Sequence, residues 1–238
     1  MDPIRNIRKT ADSFVEGLKG IYGDELVGAM LYGSGASGEH AGRNSNINVA
    51  VVLKDASIQS IKKASCLARK NKFLSVNPVF FTADYIKSST DVFPIEFLDI
   101  KENHTLLYGT DVFKDLIVDT KNLRFQCEQE LKSKILNIKK AYLRARNDTS
   151  LKEILFKSLT SSLHVLRNIV RLKGKAPSYS KEVVIDEVGR EFSIDAGIFR
   201  KILDARCGSV KLGRKETDEL FIGFVATLEI ISDKVDRF

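Results

Sequence analysis

The sequence lacks the features that mark membrane, secreted and metal-cluster proteins. No apolar run approaches the ~20 residues that a membrane-spanning helix needs. The first residues, Met1 to Arg5, lack the apolar core of a signal peptide. The three cysteines (Cys66, Cys127 and Cys207) lie far apart, without a Cys or His at metal-site spacing, and are expected to be small buried side chains in a reducing compartment. These absences predict a cytoplasmic protein without a membrane span.

What is present is the composition of an ordinary globular protein with excess positive charge. The 238 residues are 43% hydrophobic and 29% charged, which suits one large domain or two modest ones. The formal net charge of +7 favours anionic partners such as nucleotides or RNA. Because the basic residues are spread along the chain, their order does not locate a binding surface.

The first half of the chain has the pattern of an α/β domain. Apolar residues at three- and four-residue spacing predict an amphipathic helix from Pro3 to Tyr22. Leu26–Tyr32 and Ile47–Leu53 are predicted strands, and the second is apolar on both faces, as in a central strand. A third strand is predicted at Val76–Thr82, where Pro78 favours a sheet edge or a strand start.

Three further elements complete the predicted α/β domain. Asp55 or Ser57 can cap a helix that runs to about Asn71. A fourth strand is predicted within Phe93–Lys101, and Leu106–Tyr108 can add a short fifth strand.

Beyond residue 119 long helical patterns replace the strand-like runs. The predicted helices span Leu123–Arg146, Leu151–Lys173, Lys181–Glu191, Asp195–Cys207 and Lys215–Asp236. Several amphipathic helices joined by short links form a helical bundle. We therefore predict an α/β domain over residues 1–115 and an all-α bundle over residues 116–238.

A basic stripe lies on the second helix of this predicted bundle. His164, Arg167 and Arg171 are spaced so that they share one helix face. Such a stripe can meet phosphate or RNA, and a solvated helix face is the alternative interpretation.

The most informative stretch of the sequence joins the first two predicted strands. Gly33, Ser34 and Gly35 follow the first strand, and a turn of this kind can bring backbone N–H groups and a hydroxyl to a phosphate. Asn46 and Asn48 stand at i and i+2 at the start of the second strand, so their side chains point to the same face. An ordinary strand-to-helix turn is the alternative interpretation.

The Gly33-Ser34 turn followed by Asn46-Ile47-Asn48 on the next strand resembles the nucleotidyltransferase fold of the DNA polymerase beta superfamily. The resemblance covers about residues 24 to 110 and is nearest to the minimal and aminoglycoside nucleotidyltransferases. It implies a mixed sheet with flanking helices and a site for Mg²⁺-bound ATP or GTP. The implied nucleotide-binding residues are Gly33, Ser34, Gly35 and Ser37.

The resemblance also implies three catalytic positions, which carboxylates occupy in these families. Two of them lie on the second strand, at the positions of Asn46 and Asn48, and the third lies on a later strand. Glu96 is the best match for the third position and the implied metal ligand, and Asp99 is the fallback. An exposed strand carboxylate without a site role is the alternative interpretation of Glu96.

This chain departs from the family where negative charge is needed. An amide oxygen can ligate a hard cation but brings no charge, so two negative charges are missing from a site for two Mg²⁺ ions. At an effective dielectric of ~20 and a distance of ~4 Å, each lost pairing is several kcal/mol for a divalent ion, and Glu96 alone does not replace both. The sequence predicts a degenerate nucleotidyltransferase-like protein that binds a nucleotide or a partner without efficient transfer.

Two alternatives remain open at this stage. The first is an active enzyme that uses Glu96 and Asp99 to move NMP from Mg-NTP to a small molecule, a protein or an RNA end. The second is an antitoxin-like or regulatory module whose function is to bind a partner protein.

Overall fold

In the computed structural model the chain divides into two compact units, residues 1–119 and residues 120–238. The structure describes residues 3–33, 36, 46–70, 73, 75–175 and 178–237. The first unit combines a four-stranded mixed sheet with helices, and the second is helical. The predicted fold class, α/β followed by an all-α part, is confirmed.

The sheet of the first unit is mixed. Its strands are β1 (Leu26–Tyr32), β2 (Ile47–Leu53), β3 (Val76–Phe81) and β4 (His104–Gly109), in the order β3-β2-β1-β4. β1 pairs antiparallel with β2 and with β4, and β2 pairs parallel with β3. β2 is central and almost entirely buried, as predicted, and β3 lies at an edge, where a proline is tolerated.

Several α-helices with described bounds accompany this sheet in the first unit. They are α1 (Pro3–Tyr22), α2 (Ile58–Lys62), α3 (Ser65–Ala68), α4 (Ala83–Ser88) and α5 (Pro94–Glu102). α1 has the predicted bounds. The single helix predicted up to Asn71 is instead two short helices, because the N–H groups of Lys63 and Ala64 bond three residues back and tighten the chain. Ser57 is the N-cap of α2, since its hydroxyl accepts from the N–H of Ser60 at 3.3 Å.

Each face of the sheet has its own apolar core. On one face Val49 and Val51 of β2 belong to a core with Phe14 of α1. On the other face Ala50 and Val52 belong to a core with Phe97 of α5, which we call the α5 face. Since side chains alternate along a strand, Asn48 extends the second set, on the α5 face.

The prediction of a strand within Phe93–Lys101 is wrong. This segment is the helix α5, with Pro94 at its first position, where a missing N–H has no cost. Ile95, Phe97 and Ile100 are buried. The last strand of the sheet is β4, whose centre was predicted as the short fifth strand.

The second unit contains the five predicted helices. They are α6 (Thr120–Arg144), α7 (Asp148–Leu172), α8 (Lys181–Phe192), α9 (Gly197–Arg206) and α10 (Arg214–Val235). Their core includes the fully buried side chains of Leu131, Leu159, Leu166, Phe199, Phe224 and Leu228. Asn147 and Ser150 form a capping box that begins α7.

Two smaller predictions concern the burial of the cysteines and the presence of a membrane-spanning helix. Cys127 is buried, but Cys66 and Cys207 are exposed, so the prediction of three buried cysteines is wrong for these two. Among the residues that the structure describes, no helix is both long enough and apolar enough to cross a membrane.

Candidate functional site

The candidate site lies at one end of the sheet, where β1 ends and β2 begins. Tyr32, the last residue of β1, pairs with Asn48 on one side and with His104 on the other. Asn48 in turn pairs with Asn77 on β3. Strand pairing therefore brings side chains from all four strands to the end of the sheet that Gly33 follows.

Two of these asparagines are linked by a side-chain hydrogen bond. The amide Nδ2 of Asn77 donates to Oδ1 of Asn48, at 3.3 Å. The Nδ2 of Asn48 lies beside Gly33, 3.1 Å from the position that a Cβ on Gly33 would occupy. Asn48 thus directs its oxygen to Asn77 and its N–H groups towards the turn.

A third asparagine holds the same turn from the opposite side. The Nδ2 of Asn103, which lies between α5 and β4, donates to the carbonyl oxygen of Gly33 at 3.2 Å. That carbonyl also accepts the backbone N–H of Ala36 at 2.9 Å. Gly33 has a φ of 73°, a left-handed conformation that glycine adopts without strain. Amide side chains therefore fix the turn that follows β1.

The aromatic residue beside this cluster adds no charge. Tyr32 is half-buried among the residues of the α5 face. Burial raises the pKa of the Tyr32 phenol above its ordinary value of 10.0, because the phenolate would lose hydration. Its hydroxyl is therefore neutral at physiological pH, like the amides of Asn48, Asn77 and Asn103.

His104, the first residue of β4, contacts residues on either side of that strand. Its Nδ1 lies 2.8 Å from the carbonyl oxygen of Ile100, and its Nε2 lies 3.0 Å from Oδ2 of Asp111. Oδ1 of Asp111 accepts the backbone N–H groups of Phe113 and Lys114. The contact between His104 and Asp111 links the two ends of β4.

Glu96 and Asp99 are not on a strand. Both lie on α5, where Glu96 is exposed and Asp99 is half-buried. Because Glu96 lies on a helix, it does not match a carboxylate that the related families carry on a later strand. Across the described ranges no group of three or more His, Cys, Asp or Glu side chains could hold a metal ion.

Asn77 is one of two site residues, with Asn103, that sequence reasoning missed. The strand that carries it was predicted, and β3 is the later strand that lies directly beside β2. Its position opposite Asn48 depends on the register of a parallel pairing, which the spacing of residues along the chain does not reveal. The only available signal was one polar residue at the second position of an apolar strand.

The predicted nucleotide-binding residues fall into two groups. Gly33 lies within the described residues, in the turn that follows β1. Ser34, Gly35 and Ser37 lie outside the described residues, so phosphate binding by them stays a prediction. Asn46 lies one residue before β2 and is exposed.

The basic stripe of the second unit is largely occupied by contacts within the bundle. The guanidinium of Arg167 lies 4.3 Å from the ring centroid of Tyr179, and Arg171 donates to Oδ1 of the buried Asn168. Both arginines are half-buried, and His164 is exposed. The solvated-face interpretation is therefore wrong for the two arginines.

Two solved structures of toxin–antitoxin complexes are similar to part of this chain. One contains AMP-PNP, and the other is a mutant of the MntA–HpeT complex. Each is 20% identical to this chain, and the match covers 56% of this chain and 98% of the other. The TM-scores are 0.32 and 0.31. No protein-family model matches the chain, and no curated protein matches it.

Proposed function

We propose that the first unit is a nucleotidyltransferase-like domain in which neutral amides replace the metal-binding carboxylates. It binds a nucleotide or a partner without transferring NMP. The observation that carries this proposal is the hydrogen bond between Asn77 and Asn48, which joins amide side chains of two neighbouring strands at the end of β1.

The third amide position follows from strand pairing. In the families that the sequence resembles, the third carboxylate lies on a later strand. β3 is the later strand paired with β2, and Asn77 lies opposite Asn48. We therefore assign the three positions to Asn46, Asn48 and Asn77 in place of the set that contained Glu96. All three are neutral in this chain.

This donor set does not fit Mg²⁺. A Mg²⁺ ion is bound through carboxylates and substrate phosphates, and three amides supply no charge to offset two ions. The oxygen of Asn48 already accepts from Asn77, and the N–H groups of Asn48 lie on the side of Gly33. An N–H group directed at a cation is repulsive, so this arrangement opposes metal binding and favours contact with an acceptor.

The alternative of an active enzyme that uses Glu96 and Asp99 receives less support. A pair of carboxylates on a helix three residues apart differs from the pair at i and i+2 on a strand, whose side chains point to one face. Glu96 is also exposed, so its charge is screened by water and counter-ions.

Calorimetry with Mg-ATP and Mg-GTP tests the proposal. The protein is expected to show no Mg²⁺-dependent heat of binding. The variant Asn46→Asp/Asn48→Asp, and the triple variant that adds Asn77→Asp, are expected to gain it, because they restore two and three negative charges. Gln59→Glu/Gln129→Glu is the matched control, since it adds two charges on α2 and α6.

Incubation with labelled NTPs and a cell extract distinguishes the degenerate domain from an active enzyme. No labelled acceptor is expected. A labelled acceptor that disappears in Glu96→Ala would contradict the proposal, as would tight Mg²⁺-dependent nucleotide binding by the unchanged protein.

A further inference from the structure

The positive charge of this protein belongs to its second unit. Residues 120–238 contain 24 Lys and Arg against 16 Asp and Glu, a net charge of +8. Residues 1–119 contain 14 Lys and Arg against 15 Asp and Glu, a net charge of −1. A charge excess on one unit produces a field around that unit which attracts polyanions.

Part of this charge lines a groove between α6 and α7. The groove has a volume of about 430 Å³, and Lys140, Arg144 and Lys157 line it together with Asn137 and Ser150. Lys140 and Arg144 are exposed and lie one helical turn apart. Within the described part of the chain neither has an ion-pair partner, so both are available to an anion.

A second groove adjoins the first. Its volume is about 450 Å³, and it shares Glu153 and Lys157 with the first groove. It is also lined by Phe156, Thr160 and Arg206. Arg206 donates a hydrogen bond to Oγ1 of Thr160, which holds the guanidinium at the groove. Phe156 is half-buried and lines this groove, so part of its side chain is accessible there.

We propose that these two grooves together form a binding site for single-stranded nucleic acid. Cations that follow a groove bind the phosphate backbone, and an aromatic side chain among them stacks on an unpaired base. Lys140, Arg144, Lys157 and Arg206 supply the cations, and Phe156 supplies the aromatic surface. The proposal does not depend on the asparagine site, because every lining residue belongs to the second unit.

One acidic residue lies in this site and does not cancel it. Glu153 pairs with Lys157 at 3.6 Å, and their side chains are 63% and 81% exposed. Exposed pairs of this kind are weak, so Lys157 can exchange its carboxylate partner for a phosphate.

Fluorescence anisotropy with labelled oligonucleotides tests the site in the full-length protein. The probes are a 20-nucleotide uridine RNA, a 20-nucleotide thymidine DNA and a 20-base-pair duplex, each titrated at several salt concentrations. Both single strands are expected to bind more tightly than the duplex. Lys140→Gln/Arg144→Gln is expected to lower the slope of log K against log salt by about 1.4, since each phosphate contact on a single strand contributes about 0.7.

Lys181→Gln/Lys201→Gln is the matched control, because it removes two charges on α8 and α9 from residues that line neither groove. Its affinity and slope are expected to remain those of the unchanged protein. Equal losses in both double variants would show a diffuse charge effect and would overturn the proposal.

Phe156→Leu separates stacking from charge. We expect a loss of roughly 5- to 10-fold in affinity for both single strands with an unchanged salt slope, because stacking is independent of counter-ion release. Circular dichroism melting verifies that each variant is folded. Duplex binding as tight as single-strand binding, or displacement of RNA by polyglutamate at equal charge concentration, would refute a single-strand site.

Discussion

At the scale of single residues, the proposed function depends on the difference between a carboxylate and an amide. Asn48 is nearly the same size as aspartate, but it is neutral and carries two N–H donors. It accepts from Asn77 and extends its N–H groups towards Gly33. With carboxylates at these positions, this end of the sheet would be a cation site. With asparagines, it is a hydrogen-bonded cluster of amides.

Gly33→Ala is expected to destabilise the protein by about 1–2 kcal/mol. An alanine at a φ of 73° adopts a left-handed conformation that costs about this much, and its Cβ would lie 3.1 Å from Nδ2 of Asn48. Urea unfolding measures the change.

Gly20→Ala is the matched control for that substitution. Gly20 lies near the end of α1, and a methyl group added there would meet open space. Alanine is expected to stabilise a helix by up to about 1 kcal/mol relative to glycine. A Gly33→Ala protein as stable as Gly20→Ala would show that the turn does not need glycine.

Sequence reasoning found part of this cluster. Asn46 and Asn48 could be predicted, because their alternation along one strand places them on one face. Asn77 and Asn103 could not, because each reaches the site through tertiary structure: Asn77 through parallel pairing with β2, and Asn103 through a hydrogen bond to a residue 70 positions away.

At the scale of elements, α5 shows where pattern analysis fails. Ile95, Phe97 and Ile100 are buried together with Pro94, so apolar positions occupy more than one side of this short helix. When the apolar residues of a helix are not confined to one stripe, the 3.6-residue period is lost. Such a helix is easily mistaken for a buried strand. Proline at the first helical position was the signal that favoured a helix. The long helices of the second unit, each with one apolar stripe, were predicted correctly.

Asn147→Ala is expected to destabilise the second unit by about 1 kcal/mol, because an N-cap would be lost. Oδ1 of Asn147 accepts the N–H of Ser150 at 2.8 Å, and the Ser150 hydroxyl accepts the N–H of Asn147 at 3.1 Å. Thr149→Ala, an exposed position in the same turn, is the control and is expected to leave the unfolding free energy nearly unchanged.

The start of α2 is expected to be sensitive to acid. The backbone N–H and the hydroxyl of Ser57 both donate to Asp55, and these hydrogen bonds lower the pKa of Asp55 below its ordinary value of 3.8. A lowered folded-state pKa contributes stability above 3.8, which is lost as the pH falls through the folded value.

Asp55→Asn is therefore expected to lower the unfolding free energy at pH 7, with a difference from the unchanged protein that shrinks towards pH 3. Urea unfolding at both pH values measures that difference, and Asp91→Asn corrects for the removal of one exposed charge. A difference of the same size at both pH values would contradict the role given to the Asp55 carboxylate.

At the scale of the whole molecule, the two units differ in the chemistry they present. The first unit has a net charge of −1 and a neutral amide cluster at its strand ends, whereas the second unit has a net charge of +8 and two cation-lined grooves. Sequence composition predicted the preference for anions. The proposed location of that preference depends on the helix packing that forms the grooves.

The most direct test of the central claim is a titration with Mn²⁺ followed by electron paramagnetic resonance, with and without ATP. Mn²⁺ favours the same oxygen ligands as Mg²⁺, and the amplitude of its free-ion signal reports the unbound fraction. The unchanged protein is expected to leave the signal at its protein-free level with or without ATP, apart from Mn²⁺ bound by ATP itself. Asn46→Asp/Asn48→Asp/Asn77→Asp is expected to reduce it. A reduction of the signal by the unchanged protein, equal to that of the triple variant, would contradict the claim that the amides have removed the metal site.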